Sequence, residues 1–107
     1  FVQTLLPANA GSTLVGGPGN EFFASGRNWP LEPNVTFKYA GNWRLEVTPA
    51  AAGTETRFLH VLQAADTGVA APAKATLRQV GDEDIVTVAG RELRFKRTGK
   101  VGFRMAK

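Results

Sequence analysis

The sequence predicts an all-β protein, a two-sheet antiparallel β-sandwich of about ten short strands. Three observations point there. No window of about eleven residues has apolar positions at helical three-four spacing without a Gly or Pro inside it. Twelve Gly and six Pro cut the chain into segments of strand length. Between these breaks apolar and polar residues alternate with a period of two, most clearly from Trp43 to Thr48.

The elements follow in order. Phe1 to Leu6 is a strand ended by Pro7. Ser12 to Val15 is a short strand that runs into the turn Gly16-Gly17-Pro18-Gly19. Glu21 to Ala24 precedes a loop at Ser25-Gly26-Arg27-Asn28. Trp29 to Pro33 holds two prolines and is extended but unpaired. Val35 to Ala40 is a strand ended by Gly41-Asn42. In Trp43 to Thr48, Trp43, Leu45 and Val47 alternate with Arg44, Glu46 and Thr48, a half-buried strand with Trp43 in the core. Arg57 to Gln63 is apolar on both faces, through Phe58, Leu59, Val61 and Leu62, and is expected at the centre of the structure. Ala64-Ala65-Asp66 and Ala70-Ala71 form the best helix candidate, which Gly68 and Pro72 break. Thr76 to Val80 is a strand, and Gly81-Asp82-Glu83-Asp84 an acidic, solvated turn. Ile85 to Val88 and Arg91 to Arg97 form a hairpin across Ala89-Gly90. Lys100 to Met105 closes a second hairpin across Thr98-Gly99.

The chain of 107 residues is long enough for one domain, residues 1–107, with a modest core. Its start on a strand, without an initiator Met, reads as a fragment of a larger multidomain protein. No apolar run approaches the ~18 residues of a membrane helix, so no membrane partner is expected. The absence of Cys excludes disulfides, thiolate metal sites and a cysteine nucleophile.

Charge is unevenly distributed. Residues 1 to 89 carry six basic and eight acidic side chains, whereas residues 90 to 107 carry seven basic side chains and only Glu92. The net charges are −2 and +6. Period-two alternation in the last hairpin points Leu93 and Phe95 inward, with Val101, Phe103 and Met105 opposite them. Arg94, Lys96, Lys100 and Arg104 then share one outer face. Arginine forks suit carboxylate and sulfate groups. Such a face also solubilises and guards an edge strand, and contact with another domain stays open. Nucleic acid is not an expected partner. Trp29, in the Arg27-Asn28-Trp29-Pro30 loop, is a second glycan candidate because aromatic faces stack on sugars; burial and domain docking remain alternatives.

No catalytic residue, metal site or cofactor is assigned. A zinc site needs three or four ligands, and the chain has one His and no Cys. Asp82-Glu83-Asp84 lacks a calcium-loop pattern. Ser12 and Ser25 lack a nucleophile-elbow context. The Gly-Gly-Pro-Gly turn lacks the Gly-Lys-Ser/Thr end of a phosphate loop. Asn34-Val35-Thr36 matches a glycosylation sequon.

Three pieces in order carry a family resemblance: Gly16-Gly17-Pro18-Gly19-Asn20-Glu21-Phe22, then Asn42-Trp43-Arg44-Leu45-Glu46-Val47-Thr48-Pro49, then Arg57-Phe58-Leu59-His60-Val61-Leu62-Gln63. Over roughly residues 2 to 63 the chain resembles the C-terminal β-rich end of the heparinase II/III-like polysaccharide lyases. The resemblance implies β-elimination on acidic polysaccharide by the parent protein and a periplasmic or secreted location in a bacterium. It also implies a partnership with the parent's catalytic domains, since the catalytic groups of the family lie largely in a helical toroid and an adjoining β-sheet. Tyr and His suit the proton transfers of that reaction, but the single Tyr39 reads as a sheet-edge packing residue. The single His60, flanked by Phe58 and Leu62, reads as a hydrogen-bonded core histidine, with an edge-of-site role as the alternative. The expected function is therefore an accessory, noncatalytic domain that stabilises or orients the catalytic domains and touches the polymer. The alternatives are a free-standing carbohydrate-binding module and a structural or protein-interaction domain. A row of exposed aromatics marks the first, and a large apolar outer patch marks the second.

Overall fold

The computed structural model describes residues 1–30, 32–33, 42–100 and 102–106. The expected strand Val35 to Ala40, with Tyr39 and Asn34-Val35-Thr36, lies outside them, as do Val101 and Lys107. The described residues are all-β. Their ten strands pair only antiparallel, and none of these residues is helical. The chain divides into two compact units: residues 9–52, and residues 1–8 together with 53–107.

The unit of residues 9–52 is built on a two-stranded ribbon. Strand β2 (Gly11–Gly16) pairs with β5 (Trp43–Thr48), from Gly11 opposite Thr48 to Gly16 opposite Trp43. Between them lies a small hairpin, β3 (Phe23–Ala24) and β4 (Arg27–Asn28). Alternation cannot reveal strands this short. The hairpin turns on Ser25 and Gly26, both at positive φ, 50° and 81°. The expected tight turn is present: Asn20 N–H donates to Gly17 O at 2.8 Å, with Pro18 and Gly19 (φ 80°) at its corners. Asn28 holds it in place. Its Oδ1 accepts from Phe22 N–H at 2.9 Å, and its Nδ2 donates to Gly19 O at 2.8 Å.

Trp43 departs from expectation. It is 55% exposed rather than in the core. A Cβ at Gly17 would fall 2.5 Å from the indole, so the ring lies against glycine backbone. Leu14 and Leu45, register partners on the same ribbon face as Trp43, are also exposed. Alternation identified this face as apolar but could not say whether anything covers it.

The other unit holds the buried hydrophobic residues Ala75, Ile85 and Val86. Strands β7 (Thr76–Val80), β8 (Glu83–Val88), β9 (Arg91–Lys96) and β10 (Phe103–Ala106) form a meander in the order β10-β9-β8-β7. A second ribbon pairs β1 (Val2–Leu6) with β6 (Leu59–Leu62), with a register irregularity between Thr4 and Leu6. Residues Leu59 to Leu62 of the ribbon and Val86, Val88, Leu93 and Phe95 of the sheet line a common apolar cavity of about 270 Å³. Ribbon and sheet are thus two layers with apolar side chains between them.

Arg57 to Gln63 is not the central strand: among the described residues its paired part, β6, has β1 as its only neighbour, and Leu62 is 74% exposed. The central strand is β8, where Ile85 is 0% exposed. Ile85 has Arg78 and Arg94 as register neighbours on either side, and their aliphatic stems shield it. The β8–β9 hairpin turns on Ala89 (φ 49°) and Gly90 (φ 73°), as a two-residue loop between right-twisted strands requires.

The layers are tied by two glutamines. Gln3 Nε2 donates to Ala75 O at 2.7 Å while its Oε1 accepts from Ala75 N–H at 2.9 Å. Gln63 does the same with Ala73, at 2.7 and 2.9 Å. A primary amide presents the same donor and acceptor as a peptide group. These side chains therefore stand in for a neighbouring strand along the segment that leads into β7.

The expected acidic turn is smaller and less solvated than its composition suggests. Only Gly81 and Asp82 form the turn; Glu83 and Asp84 belong to β8. Asp84 is 6% exposed and accepts from Arg57 Nη1 at 2.7 Å and Gln79 Nε2 at 2.8 Å. Arg97 Nε lies 3.8 Å from Oδ1, the oxygen that also accepts from Gln79, while Arg57 is on Oδ2. The buried carboxylate is thus paired, as burial of a charge demands.

Candidate functional site

The register of the meander places side chains of all four strands on one sheet face. Five of them form a continuous chain of ion pairs. Arg78 of β7 donates to Glu92 Oε2 at 2.7 Å. Glu92 Oε1 accepts from Arg94 Nε at 2.8 Å, both on β9. Arg94 Nη1 reaches Glu83 Oε2 of β8 at 3.2 Å, and Arg104 Nη2 of β10 reaches Glu83 Oε1 at 3.0 Å. Hydrogen bonds from Arg78 and then Arg94 hold the Glu92 carboxyl below its ordinary range. The bonds that Arg94 donates to Glu92 and then Glu83 hold its guanidinium above its own ordinary value.

At the β10 end of this ladder is an open groove of about 590 Å³. Arg94, Lys96, Lys100 and Arg104 line it, with Glu83, Gly102 and Phe103. The four cations singled out from the sequence are brought together. The structure adds Glu83, which the sequence placed in a solvated turn. Only the cross-strand register brings it between Arg94 and Arg104, and no local signal marks it.

The five charged lining groups sum to +3. That charge is not equally free. Glu83 engages Arg94 and Arg104. Among the described residues neither Lys96 nor Lys100 has an ion-pair partner. The groove therefore offers two unshared ammonium groups beside two guanidinium groups already held in position. An anionic group entering it meets net positive charge with part of the side-chain ordering already done.

Trp29 belongs to the other unit and does not line this groove. Its ring is half exposed, with the Arg27 guanidinium stacked 3.2 Å from the centroid, and its Nε1 donates to Ala24 O at 3.1 Å. One ring face is thus occupied by a cation, which leaves at most the other for stacking. His60 also lies away from the groove. Its Nδ1 shares a hydrogen bond of 3.1 Å with Thr4 Oγ1, and it lines the apolar cavity between ribbon and sheet. This is the hydrogen-bonded core arrangement. Phe103 and Met105, expected to point inward, are 67% and 66% exposed, and neither lines the cavity between ribbon and sheet that Leu93 and Phe95 line. Among the described residues no group of three or more His, Asp or Glu side chains is placed to hold a metal ion.

Comparisons with protein-family models, with curated proteins and with solved structures return no match.

Proposed function

We propose that this chain is an accessory, noncatalytic β domain that engages acidic polysaccharide through the groove on its last hairpin. The observation that carries this reading is the convergence of Arg94, Lys96, Lys100 and Arg104 on one groove with a net charge of +3. Uronate and sulfate groups supply the complementary charge. The three sequence pieces that resemble the C-terminal end of heparinase II/III-like lyases support a role beside catalytic domains of that kind, on polymer outside the cell.

Retention on immobilised heparin tests the reading. Lys96 and Lys100 are the positions to change, because the ion-pair ladder does not use them. The variant Lys96→Ala/Lys100→Ala is expected to elute at clearly lower salt than the wild type. Exposed charges are screened over about 8–10 Å near physiological ionic strength, so retention of both proteins weakens as salt rises. Elution of both at the same salt concentration overturns the proposal.

A protein-contacting β domain is the second reading. The exposed apolar stripe of Leu14, Trp43 and Leu45 favours it. It is preferred if the two proteins co-elute and Trp43→Ser alone raises solubility.

A further inference from the structure

We propose that the outer edge of β10 is a docking site for an extended peptide strand in which carboxylate and apolar side chains alternate. The ligand class differs from that of the glycan groove; the contact surface adds the outer backbone edge and Met105 to Arg104, Lys96, Lys100 and Phe103, which the two share.

The ladder phase shows which backbone groups are free. Lys96 N–H donates to Gly102 O at 3.3 Å. Bonded and non-bonded pairs alternate along an antiparallel pair, so Arg104 exchanges backbone hydrogen bonds with Arg94, and Ala106 with Glu92. The N–H and C=O groups of Phe103 and Met105 then point away from β9. Among the described residues β10 ends the sheet. Such a row of unpaired groups is a template for another strand.

The two flanks of the sheet are treated differently. On the approach to β7, the Gln3 and Gln63 amides satisfy the backbone of Ala75 and Ala73. No such side chain covers β10 among the described residues. Nor does β10 carry a Pro or a break in register; of the devices that blunt an edge it has only its shortness and the charge of Arg104.

Side chains select the partner. One face of β10 presents Arg104, with Lys96 and Lys100 nearby. The other presents Phe103 and Met105, both largely exposed. An incoming strand therefore meets positive charge on one face and apolar surface on the other, a period-two pattern that an acidic-apolar alternation complements. A second copy fits poorly. A twofold centred on Arg104 sets two guanidinium groups directly opposite, and any edge-to-edge pairing joins two segments of net charge +6.

The test is a titration of the full ¹⁵N-labelled chain with a capped hexapeptide of alternating Glu and Val. A Lys-Val peptide of the same length and a Glu-Val peptide N-methylated at alternate residues are the controls. The expected result is saturable shifts centred on β10, and at least tenfold slower exchange of the Phe103 and Met105 amides at saturation. Both controls are expected to bind at least tenfold more weakly. Met105→Pro removes an outward N–H at a position where an edge strand tolerates Pro. It is expected to abolish binding while the β8 amide shifts stay in place. The proposal is overturned by equal binding of the Lys-Val peptide, or by undiminished binding to Met105→Pro, which would place the peptide in the groove instead. Absence of saturable shifts up to millimolar peptide also overturns it. So does slow exchange of both amides without peptide in a protein that dimerises, which would make a second copy the occupant.

Discussion

Replacing Gln3 by Met removes both hydrogen bonds to Ala75 while keeping the length and much of the volume of the side chain. Ala75 is 2% exposed, so water has little access to the N–H and C=O left behind. A typical hydrogen bond contributes about 1 kcal/mol net, and a buried polar group left without a partner costs about 1–3 kcal/mol. Two such groups give an expected loss of about 2–6 kcal/mol, a large part of a typical 5–15 kcal/mol stability. With a urea slope near 2 kcal/mol/M, the midpoint falls by about 1–3 M. Gln63→Met is the internal control. It removes the same pair of bonds from Ala73, but these bonds are exposed. Water replaces them, and the loss is expected to stay below about 1 kcal/mol. The choice of probe matters. Trp29 and Trp43 both lie in the unit of residues 9–52, so indole fluorescence reports the wrong part of the chain. Amide exchange at Ile85 and Val86, in the central strand, reports the right one. Equal effects of the two substitutions, or a loss below about 1 kcal/mol for Gln3→Met, refute the view that the glutamine replaces a strand at a buried edge.

Three further outcomes are expected. Ile85→Ala empties the one fully buried large side chain among the described residues and should cost about 2–5 kcal/mol by calorimetry. Gly16→Ala should destabilise the unit of residues 9–52 much more than Gly19→Ala, as read by Trp fluorescence in urea. Both glycines sit at positive φ, which costs an L-residue about 1–2 kcal/mol. Only the Cβ at position 16 would also fall 2.2 Å from a backbone oxygen, that of Asn42, while position 19 faces open space. Glu92 contributes an acid-side dependence. Its folded carboxyl titrates below the ordinary value, so its stabilisation is present above that value and is lost as pH falls through the lowered one. Glu92→Gln should flatten this part of the acid limb in pH-dependent unfolding, and a carboxyl titration by NMR should show the lowered midpoint directly.

Several elements were legible because their signals are local. The strands Trp43–Thr48 and Thr76–Val80 end where alternation and turn residues end them. The Ala89-Gly90 hairpin and the Gly17-to-Asn20 turn follow from residues that tolerate their dihedral angles. Arg94 and Lys96 were legible for the same reason, since residues two apart on one strand share a face, and Arg104 stands opposite Arg94; Lys100 lies in the connection before β10. Arg57 to Gln63 was misread because apolar residues on both faces describe a segment's composition and not its neighbours. Among the described residues its paired part finds only β1, and Leu62 remains in solvent. Trp43 was misread likewise: a face can be apolar and still uncovered.

By itself the sequence determined the all-β class, the turns, and the segregation of positive charge into residues 90 to 107. These depend on φ preferences, on the two-residue period and on covalent neighbours, all of which act over a few positions. The tertiary structure alone decided which acids answer those cations and which edges are closed. Glu83 meets Arg104 across 21 positions, and Gln3 meets Ala75 across 72. Such partners are selected by register between distant strands, where a shift of one residue would send every side chain to the opposite face.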